Sequence, residues 1–125
     1  MNVLLVATGG AIGAVLRYLL GGWIQGRLGP DFPWGTFIVN VSGSLLIGVV
    51  LGLAAQGALS GEARLFLAVG ILGGYTTFST FSYETLQLIE DGNLAATLLN
   101  AVGQVAAGLI AVYVGVVISR ALGGP

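Results

Sequence analysis

The run Gly73-Gly74-Tyr75-Thr76-Thr77-Phe78-Ser79-Thr80-Phe81-Ser82, with Glu84 just beyond it, lies deep in a long apolar stretch. These side chains show no nucleophile–base pair, but they can hold ions. An aromatic ring is electropositive at its edge. Phe78 and Phe81 are three apart, hence neighbours on a helix, and can turn two ring edges toward a small dehydrated anion without any fixed cation. Ser79, Thr80 and Ser82 add hydroxyl donors. Thr77, Thr80, Phe81 and Glu84 fall at i, i+3, i+4 and i+7 and share one helix face. Paired glycines and β-branched threonines both weaken a helix, so the run predicts an interruption. Backbone freed inside a membrane must be met by protein, water or an ion, and transporters hold ions at such places. The competing reading is an unbroken helix whose hydroxyls bond back to its own carbonyls. Glu84 fits poorly within an anion path and is expected at a mouth.

Other polar groups stand in apolar surroundings, where such groups by default mark function. Asn40, with Thr36 and Ser42 nearby, either ties its helix to a neighbour or donates its amide hydrogens to a passing anion. Arg17 either snorkels to the interface or supplies a fixed positive charge near an opening. Asn100 and Gln104, four apart, either line a path or bond across helices, and Tyr113 follows them.

The elements that carry these residues follow from charge. Only four basic and five acidic side chains occur among 125 residues, 7 % charged against 56 % hydrophobic. Soluble domains carry roughly 25 %. A soluble enzyme is excluded, and four arginines are too few to neutralise a nucleic-acid backbone. The chain has no cysteine and no histidine, which removes the usual zinc and haem ligands and the nucleophile pairs built on them. Charges are absent from 1–16, 32–61, 65–83 and 92–119. About 20 apolar residues cross a bilayer, so the sequence predicts one domain, 1–125, of four transmembrane helices near 2–24, 34–53, 63–89 and 94–121. The first reads as a span and not a removable leader, since it lacks a basic flank and a cleavage site. Gly9/Gly13, Gly48/Gly52 and Gly70/Gly74 recur at the spacing that lets membrane helices approach closely.

An even number of spans puts both ends on one side. Arg64 and Arg120 lie on that side, and Arg27, with Arg17 if it reaches the interface, on the other. Lys/Arg bias sets orientation, and a near balance predicts insertion both ways up.

Three segments in this order carry a resemblance: Gly10-Ala-Ile-Gly13-Ala-Val-Leu-Arg17-Tyr18, Gly35-Thr36-Phe-Ile-Val39-Asn40-Val-Ser-Gly43, and the Gly73–Ser82 run. Together they resemble the Fluc family of bacterial fluoride channels, also called CrcB, over essentially all four spans. The resemblance implies an all-α membrane protein with its third helix broken near the middle, paired as an antiparallel dual-topology homodimer. It implies a passive, fluoride-selective pathway and no enzyme activity, in the bacterial inner membrane. Phe78 and Phe81 would form the ring-edge anion site, Asn40 would donate to fluoride, and Ser79, Thr80 and Ser82 would belong to the polar track. A structural sodium ion would sit on the two-fold axis, held by the backbone carbonyls of Gly73 and Thr76 from both subunits. Arg17 matches the family's first-helix arginine. The fourth span departs from the family's Ser/Thr pattern, which leaves Asn100, Gln104 and Tyr113 as its candidates. Carbonyl oxygens suit a hard cation, and a strongly hydrated anion needs close donors to replace its water. The choice of fluoride over chloride rests on the resemblance. The rivals are a four-span proton-coupled exporter, which needs a membrane-embedded carboxylate and would have only Glu84, and a non-transporting assembly subunit.

Overall fold

The computed structural model describes residues 1–123. Its four long helices, α1 (Asn2–Leu28), α2 (Trp34–Ala55), α3 (Gly61–Glu90) and α4 (Leu94–Leu122), are each long and apolar enough to cross a membrane, as the gaps between charges predict. The chain is therefore an all-helical, four-span membrane protein.

Glycines decide which helices touch. On α1, Gly9 and Gly13 face α3. A Cβ at Gly9 would lie 2.7 Å from the Phe66 carbonyl oxygen, and one at Gly13 would lie 2.8 Å from the Tyr75 amide nitrogen. Gly74 closes the same seam against Gly10. On α2, Gly48 and Gly52 meet Val112, Gly115 and Ser119 of α4. Lipid gives helices no hydrophobic drive to associate, so close backbone approach through small residues is what holds such pairs. A small apolar cluster, Val39, Leu72 and Tyr75, is buried in the bundle, with Ile47 and Val50 packed against it. Most large apolar side chains point outward, as a bundle solvated by lipid requires.

The connections are short and tied down. Gln25 donates to the carbonyls of Gly29 (2.7 Å) and Phe32 (2.8 Å) and accepts from the Gly35 amide (3.0 Å). This clamp fixes the turn into α2 and lets α1 run to Leu28. Arg27 stacks 5.2 Å from the Trp23 ring, a pairing suited to the membrane interface. Ser60 and Asn93 cap α3 and α4, accepting from the amides of Ala63 and Ala96. Asp91-Gly92 forms the last turn, where Gly92 takes a φ of 75° that glycine alone adopts without strain.

Two stretches are wound as π-helix, Leu65–Leu72 in α3 and Leu99–Gly103 in α4. Such widened turns are rare and concentrate at functional sites. Within α3, Gly73–Tyr75 is α-helical, Thr76 (φ −87°, ψ 157°) and Thr77 (φ −148°, ψ 118°) are extended, and Phe78–Glu90 is α-helical again.

Candidate functional site

The extended pair at Thr76 and Thr77 is where α1, α2 and α4 contribute polar groups. The Thr76 amide and hydroxyl both bond to the Leu72 carbonyl, at 3.1 and 3.0 Å. The Thr77 amide leaves the helical ladder and donates to Asn40 Oδ1 (2.8 Å), while Asn40 Nδ2 donates to the Thr77 carbonyl (3.0 Å). One side chain on α2 thus satisfies both backbone groups of a single residue on α3. Arg17 Nε donates to the Gly74 carbonyl (3.3 Å), a group left over at the end of the first helical segment. None of the side-chain or cross-element hydrogen bonds among the described residues ends on the carbonyls of Gly73 or Thr76. Thr77 Oγ1 caps the following segment, accepting from the Thr80 amide (3.2 Å) and donating to Thr80 Oγ1 (3.0 Å). The unpaired amides and positive dipole end of that segment therefore open beside the extended pair.

Close packing supports this arrangement. Gly43 of α2 has no side chain because the Tyr75 ring and the Thr76 methyl occupy that space. The buried Tyr75 hydroxyl bonds to Ser42 Oγ at 2.9 Å, as a buried phenol must find a partner.

A cavity of about 250 Å³ is lined by Thr76, Thr77 and Phe78 with Asn40, Gly43, Ser44 and Ile47, and two more lie beside it. One, of about 260 Å³, is lined by Asn40, Ser44, Phe78, Phe81 and Gln104 with apolar residues of α4. The other, of about 250 Å³, is lined by Arg17, Thr36, Thr77, Thr80 and Glu84. The helix face expected to carry Thr77, Thr80, Phe81 and Glu84 together is thus divided, with Phe81 in the first cavity and the other three in the second. Glu84 also borders a larger cavity of about 420 Å³ with Asp31, Glu90 and Asp91 at one end of the bundle. Its Oε1 is enclosed and has no hydrogen-bond partner among the described residues.

Phe78 and Phe81 form a tilted pair, with ring centroids 5.7 Å apart and planes at 46°. Phe78 is 77 % exposed, so most of its ring faces outward from the single chain. Ser79 and Ser82 lie on the same exposed turn. Ser82 Oγ bonds back to the Phe78 carbonyl (2.9 Å), and Ser79 Oγ approaches Thr77 Oγ1 (3.4 Å).

On α4, Asn100 and Gln104 bond across helices. Asn40 Nδ2 donates to Gln104 Oε1 (2.5 Å), Gln104 Nε2 to Asn100 Oδ1 (2.9 Å), and Asn100 Nδ2 to Thr85 Oγ1 (2.9 Å). Both Asn40 amide hydrogens are thereby engaged within the chain. Gln104 also borders the cavity with the phenylalanines, whereas Asn100 is fully buried. Tyr113 is 67 % exposed and borders neither flanking cavity. Sequence reasoning passed over Ser44 and Thr85. Ser44 falls four residues after Asn40, and Thr85 four after Phe81, so helical spacing from each would have found both.

The match with known proteins is broad. Residues 4–116 fit the family described as CrcB-like protein, Camphor Resistance (CrcB). A protein of Thermus thermophilus named fluoride-specific ion channel FluC is 57 % identical over 97 % of this chain and 95 % of its own length. Proteins with the same name from Nitrobacter winogradskyi and Rhizobium meliloti are 50 % and 48 % identical, the first over 96 % of each chain and the second over 97 % of this chain and 98 % of its own. With the family pattern spanning nearly all of α1 to α4, this chain belongs to the CrcB family.

Proposed function

We propose that this protein is a passive, fluoride-selective anion channel and not an enzyme, as the name shared by its relatives suggests. The observation that carries the reading is the cavity where the Phe78–Phe81 pair faces Asn40 beside the unwound Thr76–Thr77 backbone. Fluoride holds its water tightly, so a path must replace that water with close donors. Ring edges, the Asn40 amide and the hydroxyls of Ser79 and Thr80 would supply such donors, and Ser82 would join them by releasing the proton it gives to the Phe78 carbonyl. Asn40 reaches the anion by lending one of the hydrogens it now gives to Thr77 or Gln104.

Function at the phenylalanine pair calls for a second subunit, because Phe78 is uncovered in one chain. An antiparallel homodimer, with the chain inserted both ways up, covers it and builds the inverted symmetry that transporters reach by internal repeats. The fit of a sodium ion rests on the Gly73 and Thr76 carbonyls. Neither carries a side-chain or cross-element bond, and paired across a two-fold axis they form a hard oxygen set suited to a hard cation. Sodium bound there would supply positive charge at the midplane. Arg17 draws the neighbouring Gly74 carbonyl away from that set and holds the first segment's end in place. Glu84 stands between the second cavity and the acidic end of the bundle, at a mouth.

Hydrogen fluoride crosses membranes as the neutral acid and loses its proton in a more alkaline cytoplasm. A passive path in the inner membrane lets the trapped anion leave, driven by about 2.3 kcal/mol per charge for each 100 mV of inside-negative potential. No proton carrier is needed, which separates this reading from a proton-coupled exporter. Purified protein in fluoride-loaded liposomes is expected to release fluoride to a selective electrode while retaining chloride in parallel vesicles. Release no faster than from empty vesicles would refute the channel, and equal chloride release would refute its selectivity.

A further inference from the structure

The fully buried Asn100 has no place in the pathway, yet it sits in a hydrogen-bond string whose direction is fixed at both ends. At one end the Thr77 backbone amide can only donate, so Asn40 must turn Oδ1 toward it and Nδ2 toward Gln104. At the other end the Phe81 carbonyl can only accept, so Thr85 must give it the hydroxyl proton (2.7 Å) and leave its lone pairs to Asn100. Between these ends each amide donates to the next, Asn40 to Gln104 to Asn100 to Thr85. Reversing any one amide would set donor against donor, or acceptor against acceptor, at its neighbours. Asn100 is 0 % and Gln104 5 % exposed, and a buried donor left without its acceptor is costly. The string therefore has one stable arrangement.

Its two ends are the backbone groups that bracket the turn carrying Phe78 and Phe81. We infer that Thr85, Asn100 and Gln104 form a one-way amide string that fixes that turn against Asn40, which makes Thr85 and Asn100 positioning residues that act on the anion site without touching the anion. The π-helical stretch Leu99–Gly103 contains Asn100 and sets its register with Gln104 along the string. The inference rests on the channel reading for its effect on flux, but the coupling along the string can be read without any flux.

The test uses Thr85→Val, which keeps the shape and removes the hydroxyl, and Thr85→Ser, which restores the hydroxyl. Hydrogen–deuterium exchange at the Asn40 carboxamide is followed by NMR of the full-length protein in micelles, and fluoride release is followed from liposomes. T85V is expected to speed exchange at Asn40 and to slow fluoride release, each by about tenfold, the scale of one lost buried hydrogen bond. T85S is expected to stay within about twofold of wild type in both, the margin of a hydrogen bond that is kept. Exchange at Asn40 unchanged in T85V, or disturbed equally in T85S, would overturn the string. A wild-type protein that releases no fluoride would instead overturn the channel reading, while the exchange result would still decide the string.

Discussion

Asn40 is the side chain that holds the break in place, because one carboxamide serves both backbone groups of Thr77 and also reaches Gln104. Asn40→Asp keeps the acceptor for the Thr77 amide but loses both donors. The Thr77 carbonyl and Gln104 Oε1 then face a carboxylate oxygen, and the loss is expected to cost about 1–3 kcal/mol for each unsatisfied group. The expected outcome is a lower melting temperature in detergent together with lost fluoride release. Melting and release both at wild-type levels would show that the carboxamide is dispensable. The phenylalanines are expected to behave differently. Phe78→Ile and Phe81→Ile each remove a ring edge but keep apolar bulk, so each should sharply reduce fluoride release while the protein keeps its oligomeric state on gel filtration. Wild-type release in both variants would show that the rings do not face the path. Residue types were readable here, partners were not. Asn40 and Gln104 are 64 positions apart, and nothing in either neighbourhood names the other. Thr85 lies just past the conspicuous run, and its bond to Asn100 appears only once α4 is laid against α3.

Among the elements, the four spans were legible because charge is so scarce that its gaps measure the bilayer. The glycine pairs likewise pointed to close helix contacts, though not to which helices would meet. The structure sorts them, with Gly9 and Gly13 sealing α1 to α3 and Gly48 and Gly52 sealing α2 to α4. The π-helical stretches left no trace in hydrophobic pattern, since a widened turn buries the same residue types as an α-helical one. This sorting gives a prediction. Gly13→Ala places a methyl group against the backbone of Ile71 and Tyr75 and is expected to destabilise by about 1–3 kcal/mol through overpacking. Gly26→Ala meets nothing within 4 Å and should be neutral, or stabilising by about 0.5–1 kcal/mol as alanine is favoured in a helix. Thermal unfolding in detergent separates the two. Equal melting temperatures would contradict the packing of α1 on α3.

At the scale of the whole molecule, the single chain is incomplete for the task proposed. Under the proposed function, the exposed Phe78 and the carbonyls of Gly73 and Thr76 would be covered by a partner, and with Arg17 held at the Gly74 carbonyl the interfacial count of Arg27 against Arg64 and Arg120 is the near balance that would let that partner be an inverted copy. Cysteine tags placed at each terminus are expected to be reachable from both sides of the membrane in cells. Labelling from one side only would contradict dual insertion. Replacing sodium by a large organic cation is expected to destabilise the dimer or silence the channel slowly, and unchanged release after days without sodium would count against the axial site. The most direct measurement is the reversal potential of reconstituted protein in a planar bilayer with fluoride on one side and chloride on the other. A fluoride-selective channel is expected to give a current that reverses near the limit set by fluoride alone, and a reversal near zero, with both halides carrying current, would contradict that selectivity.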